Sequence, residues 1–321
     1  MALPALTVGL VVSALTCFAA LVIGRRAGFV DRPDGGLKPH GGLPVPLGGL
    51  GVVVGLHAGL AVAGSFDLGL ALATGTMLVV GMVDDRIGLG PWPRIGASVA
   101  AGATLMTVGF PGRGWVVWVG GVALVVVLVN AVNLLDGLDA LAGSVSVVVA
   151  VGLAYMALLQ RVPDWWVMTV LSAAVVGFLV WNLPPARMYL GDGGAYVIGV
   201  TLAWGVLRAS PDWSAGMVAL AAVGVPLLDL GATVVRRLRA GTPIFGGDRS
   251  HTYDRLRDRG WSAGRIAMAF AGVQMVWVAA AFTLSWLLGD RVAAAILVGS
   301  AIGVVSVAGL TSPPPASVPD L

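Results

Sequence analysis

Residues 115–139 read WVVWVGGVALVVVLVNAVNLLDGLD. From Trp115 to Val132 there is no charged side chain, and about 20 apolar residues suffice to cross a bilayer as a helix. Then Asn130, Asn133, Asp136 and Asp139 crowd into the end of the run. The run is solidly apolar instead of alternating, which excludes a strand of a lipid-facing barrel. A backbone in lipid must then satisfy its own polar groups as a helix. So the stretch predicts a membrane helix with a heavy polar load at its exit.

The same pattern recurs outward in both directions. Apolar stretches at 3–23, 47–64, 66–83, 95–110, 115–132, 140–159, 165–182, 194–208, 214–235, 266–288 and 291–310 predict an all-α, polytopic transmembrane bundle of ten or eleven spans. Composition agrees: 58% of the 321 residues are apolar and 11% charged, against about 25% charged in a soluble domain. So little polar surface cannot cover a soluble globule of this size. The 47 glycines follow no three-residue period, which excludes a collagenous chain. A net charge of +3, with the cations in a few loops, is not the balance of a nucleic-acid binder. Cys17 is the single cysteine, so there is no intrachain disulfide and no cysteine-based zinc site. Residues 1–310 read as one integral membrane domain, and 311–321 as a disordered Pro-rich tail.

Charge asymmetry sets the expected orientation. No Lys or Arg precedes the first apolar stretch and Arg25-Arg26 follows it, which argues against a cleaved signal and for the N-terminus outside. With alternating spans, 15 of the 19 basic residues fall on the inner side, as the positive-inside rule requires. The acids, all of them Asp, follow the same geometry. Asp84, Asp85, Asp136, Asp139, Asp192, Asp229, Asp248 and Asp254 come out on the inner side, at about one depth. A cluster of carboxylates there needs a counter-ion. Hard oxygen donors without a His/Cys set suit Mg²⁺ (or Mn²⁺) and not Zn²⁺. Mg²⁺ between carboxylates and basic side chains is an apparatus for holding a diphosphate. The glycines of Gly191-Asp192-Gly193-Gly194, ahead of an apolar stretch, suggest backbone N–H groups open to an anion.

The ordered segments Asp31-Arg-Pro, Lys38-Pro-His40, Pro46-Leu-Gly-Gly49, Gly81-Met-Val-Asp-Asp-Arg86, Asn130–Asp139, Gly177–Asn182, Gly191-Asp192 and Pro226-Leu-Leu-Asp229 resemble the polyprenyl-phosphate N-acetylhexosamine-1-phosphate transferases, glycosyltransferase family 4. The resemblance implies transfer of a sugar 1-phosphate from a UDP-N-acetylhexosamine to a polyprenyl phosphate, with release of UMP and initiation of cell-envelope glycan synthesis. It implies Mg²⁺, a multi-pass protein of the plasma membrane, an active site at its cytoplasmic face, and an association as a homodimer. By motif, Asp84, Asp85 and Asp192 match the essential aspartates, with Asp192 and Asp85 toward the metal. Asn133, Asp136 and Asp139 match the uridine pocket, Asn182 a nucleotide-site asparagine, Tyr189 an aromatic that stacks on uracil, and Lys38 a phosphate-side cation. Arg249 and His251 fall in the last inner loop, where the family senses its sugar.

Three positions depart from that pattern. The usual His-x-His-His run reads His251-Thr-Tyr-Asp254, Gly-Leu-Asp-Gly reads Gly137-Leu-Asp-Ala140, and Gly-Asp-x-Gly-Ser reads Gly191-Asp-Gly-Gly-Ala195. They point away from the MurNAc-pentapeptide substrate and toward UDP-GlcNAc or a related donor. Two alternatives use the same acids: an ion-coupled transporter, and a catalytically inactive relative that binds lipid or nucleotide sugar.

Overall fold

The computed structural model describes residues 2–31, 43–243 and 251–311, with side chains to 306. Lys38, Arg249 and Asp248 lie outside the described residues, as does the tail beyond 311. Among the described residues the chain is helical throughout: α1 Ala2–Arg26, α2 Gly48–Val62, α3 Leu68–Ile87, α4 Pro91–Thr104, α5 Trp115–Leu135, α6 Leu141–Leu159, α7 Trp166–Asn182, α8 Gly191–Arg208, α9 Trp213–Ala221, α10 Gly224–Ala240, α11 Thr252–Asp258, α12 Ala263–Leu288 and α13 Asp290–Thr311. A π-helical turn, Leu105–Gly109, continues α4.

Each of the eleven apolar stretches carries a helix, but not all are full-length rods. Five helices, α1, α3, α5, α6 and α12, are long and apolar enough to cross a membrane. The pair α9 and α10 makes a sixth if counted as one span; it is bent by 77° at its break. α2, with 15 residues, is about 22 Å long at 1.5 Å per residue, short of the roughly 30 Å hydrocarbon core. Much of the outer surface is apolar, with Leu15, Phe18, Val79, Val119, Val180 and Met275 exposed, as lipid-facing helices require.

α8 stands at the centre. Its sequence is apolar all round, so no face of it suits water. Every residue from Gly193 to Val206 is accordingly buried, with α3, α5 and α2 packed about it. Close approach is made by glycines. A Cβ on Gly81 of α3 would lie 2.2 Å from the backbone nitrogen of Gly193, and one on Gly49 of α2 would lie 2.5 Å from that of Gly194. Small residues let membrane helices touch backbone to backbone. Gly193 and Gly194 therefore serve helix packing. Their backbones abut α3 and α2.

α3 and α8 run antiparallel, which decides where the polar residues go. Asp67 caps the start of α3 and Arg208 ends α8, and the two side chains meet at one end of the pair. Asp84 and Asp85 close α3 at the other end, where Asp192 opens α8. The ends are about 25 Å apart along the helices.

Candidate active site

The acidic end is built from turns. Gly88 adopts φ +66°, a left-handed conformation that ends α3 at low cost. The chain then folds back, and the N–H of Leu89 donates to Asp84 Oδ1 at 2.7 Å. Asp84 Oδ2 accepts from the Tyr196 hydroxyl at 2.6 Å and faces the Arg94 guanidinium at 3.5 Å. Asp84 is thus a buried carboxylate gripped from α4, α8 and its own turn. Next to it, Asp85 Oδ1 accepts the backbone N–H of Asp192 at 3.1 Å. That bond takes up the helix-start N–H of α8 with a protein carboxylate.

A second loop pair approaches from the other side. The N–H of Asp136 donates to the carbonyl of Asn133 at the end of α5, and the 136–140 turn follows. Ala140 sits at φ +62°, where a glycine is unstrained, so one of the departures from the family pattern falls on a left-handed residue. The Asn182 side chain holds this turn to the loop after α7: its Oδ1 accepts the Ala140 N–H at 2.9 Å and its Nδ2 donates to the Met188 carbonyl at 2.8 Å. Asp139 Oδ2 accepts the Ala186 N–H at 3.0 Å and closes the same loop. A parallel bridge between Val45 and Met188 ties in the segment before α2. There the N–H groups of Gly48 and Gly49 donate to the carbonyls of Tyr189 and Leu190, both at 3.0 Å.

The carboxylates interact. Asp192, two residues ahead of the apolar run 194–208, holds its proton up to about pH 8 through burial first, then repulsion from Asp85 and Asp84. Asp136 is pushed well above the usual carboxylate range by burial and by Asp192, Asp85 and Asp139. The half-buried Tyr189 phenol is raised by burial, then by Asp139 and Asp31, with the Arg257 guanidinium opposing. Asp85, Asp136, Asp139, Tyr189 and Asp192 therefore share one electrostatic field, in which ionising Asp136 or Asp192 is costly.

The start of α11 joins the same end. His251 Nδ1 lies 3.0 Å from Asp229 Oδ2, and both side chains are buried. The His251 ring stacks on Tyr253 with centroids 5.1 Å apart and planes 7° apart. The Tyr253 hydroxyl donates to the Leu134 carbonyl at 3.2 Å, and a Cβ on Gly137 would lie 2.2 Å from that oxygen. Asp254 Oδ2 accepts the His251 N–H at 3.3 Å, closing the start of α11. Tyr253 and Asp254 stand at departures from the family's histidine run, and here they fix His251 beside the 136–139 turn.

Among the described residues, no group of three or more His, Cys, Asp or Glu is arranged to cage a metal ion. The donor chemistry nevertheless fits Mg²⁺, which keeps several waters and is commonly held by one or two carboxylates together with substrate phosphates. Asp85 and Asp192 are the pair that would hold it, because their mutual repulsion is what a divalent ion relieves. Sequence reasoning missed Tyr196, Arg94 and Arg257. Tyr196 left one trace: it lies four residues after Asp192, on the same face of a helix.

This is a helical membrane protein with a carboxylate-lined site at one end of its central helix pair. Residues 68–210, from α3 through α8, match the family described as Glycosyl transferase family 4. The probable undecaprenyl-phosphate N-acetylglucosaminyl 1-phosphate transferase of Bacillus subtilis is 28% identical over 283 residues, covering 78% of this chain and 77% of the relative. The decaprenyl-phosphate N-acetylglucosaminephosphotransferase of Mycobacterium tuberculosis is 29% identical over 303 residues, covering 78% and 74%. The undecaprenyl-phosphate alpha-N-acetylglucosaminyl 1-phosphate transferase of Escherichia coli K12 is 26% identical over 273 residues, covering 77% and 74%. Over α3–α8 the chain is thus similar to glycosyl transferase family 4, and the three relatives extend the similarity over about three quarters of its length.

Proposed function

We propose that the protein transfers N-acetylhexosamine 1-phosphate from a UDP-sugar, UDP-GlcNAc or a close relative, to a polyprenyl phosphate, releasing UMP. The observation that carries this is the convergence of Asp84, Asp85, Asp136, Asp139 and Asp192 at one end of the α3–α8 pair, inside the family-matched segment. The names of the three relatives supply the substrate class. A lipid acceptor also suits a bundle with an apolar outer surface. We place the site at the cytoplasmic face, with the N-terminus outside and ten or eleven segments in the membrane. Excess Arg and Lys on the Asp192 side support that orientation.

In the reaction, an oxygen of the lipid phosphate bonds to the sugar-bearing phosphorus. The bond from that phosphorus to the bridging oxygen breaks, and the oxygen leaves with UMP. With a second pKa near 6, the lipid phosphate is largely ionised at neutral pH and needs little help from a base. The barrier is repulsion between two anions. A bound Mg²⁺ supplies charge neutralisation at the diphosphate. Asp85 and Asp192 would hold that charge in place, and Asp84 is held as the acceptor of three protein donors. The Tyr189 ring faces the nucleotide and stacks on its uracil. Asn133, Asp136 and Asp139 line the base and ribose side, with Asn182 fixing their turn. Lys38 takes the phosphate side, and Arg249 and His251 the sugar. Purified protein with undecaprenyl phosphate and a panel of UDP-sugars tests the assignment by UMP release. No UMP from any UDP-N-acetylhexosamine overturns it.

A further inference from the structure

We propose that Tyr196 is a positioning residue that restrains Asp84 with its hydroxyl, so that the cation-holding pair is Asp85 and Asp192 and not all three carboxylates; this rests on the function proposed above. Tyr196 is 2% exposed and Asp84 5%, so neither exchanges its partner for bulk water. The 2.6 Å bond to Asp84 Oδ2 is the shortest that this carboxylate makes. The other donor at that oxygen, Arg94, stands at 3.5 Å, beyond the 2.7–2.9 Å of a strong charge-assisted bond. Asp84 is the chain neighbour of Asp85, whose Oδ1 accepts the Asp192 N–H at 3.1 Å, so Asp84 stands beside the pair. A small rotation of the Asp84 side chain would therefore add it to the Asp85–Asp192 pair.

The consequence for chemistry follows from how a small divalent ion is shared. It binds well through one or two carboxylates and needs its remaining positions for water and phosphate oxygens. A third carboxylate binds the ion more tightly and takes a position that a substrate phosphate would use. Tyr196 is suited to prevent this. It sits one helical turn from Asp192 on the face turned to α3, and its ring is locked in the core. Phenylalanine keeps that packing and removes only the hydroxyl.

The test uses the full chain in nanodiscs with Mn²⁺ as probe, read by electron paramagnetic resonance without substrate, alongside UMP release. Tyr196→Phe is expected to bind Mn²⁺ about three- to tenfold more tightly while kcat falls about tenfold and KM for the UDP-sugar stays within about twofold. Loss of packing alone moves neither quantity in that combination. Asp84→Asn in the Tyr196 background is expected to bind Mn²⁺ as the parent does. The double variant is expected to lose the tightening seen in Tyr196→Phe. Unchanged or weaker Mn²⁺ binding by Tyr196→Phe overturns the proposal, as does tightening that survives in the double variant. So does Asp84→Asn weakening Mn²⁺ binding more than about threefold, since that places Asp84 in the ion's own shell, and this arm holds even where Tyr196→Phe fails to fold. Should the parent release no UMP from any donor, the transferase assignment fails, and the Mn²⁺ measurements still decide the role of Tyr196.

Discussion

The two ends of the α3–α8 pair carry charge in opposite ways. At the Asp67 end the Asp67 carboxylate is answered from three sides. Asp67 caps α3 through Leu70 at 2.9 Å, accepts from Trp204 Nε1 at 2.9 Å and meets Arg208 at 3.3 Å. The Arg208 guanidinium also lies over the Phe110 and Trp204 rings, 4.9 and 5.0 Å from their centroids. At the Asp192 end, carboxylates face carboxylates, and ionisation of Asp136 and Asp192 is resisted by burial and then by their neighbours. A self-neutralised cluster serves the fold, whereas a cluster left with excess charge is poised for a ligand of opposite sign. The same two helices thus hold a structural end and a functional end.

Substitutions separate the ends, and the largest effect is expected at the acidic one. Asp192→Asn or Asp85→Asn should lower UMP release about a thousandfold or more, while thermal stability is kept or slightly raised because repulsion is relieved. A melting temperature that drops with activity would make this end structural too. pH gives the next effect. Asp192 holds its proton up to about pH 8, so a divalent ion must displace it, and apparent Mn²⁺ affinity should rise up to about tenfold per pH unit from 6 toward 8. The sign for stability is opposite. Between the ordinary carboxylate pKa and about 8 the folded chain binds more protons than the unfolded one. Metal-free protein should therefore lose stability as pH rises through that window and regain it on adding Mg²⁺. Calorimetry that shows a gain with pH instead would remove the repulsion from the account.

At the other end, Arg208→Ala should cost about 1–2 kcal/mol of stability through the lost pair and ring contacts, discounted for the third of the side chain that is exposed. Its kcat should stay within about twofold, and a large kcat loss would join the two ends functionally. The smallest change is Ala140→Gly, which relieves a left-handed alanine and should add about 0.5–1 kcal/mol in thermal unfolding without altering turnover.

The helices and the ranking of the acids were legible from residue order. Apolar runs broken by Asp, Asn, Gly and Pro mark the helix ends, and alternating spans group Asp84, Asp85, Asp136, Asp139 and Asp192 on one side. What each polar group does was less legible. Asn182 reads from its motif as a nucleotide contact, yet both ends of its amide are engaged by Ala140 and Met188. Asp84 and Asp85 are neighbours with the same side chain, and the rotation of about 100° between successive helix positions gives them different partners. The bend at α9–α10 also escapes periodicity, because residues 214–235 run across it as one apolar stretch.

Residue order by itself determined a helical membrane protein with its acids gathered toward one side, since hydropathy and charge act locally and need no partner. Only the packing of α3 against α8 decided that Tyr196 restrains Asp84, that Asp85 meets Asp192, and that Gly193 abuts Gly81. Those outcomes depend on which side chains long-range contact brings within 3 Å, and no spacing along the chain encodes that distance.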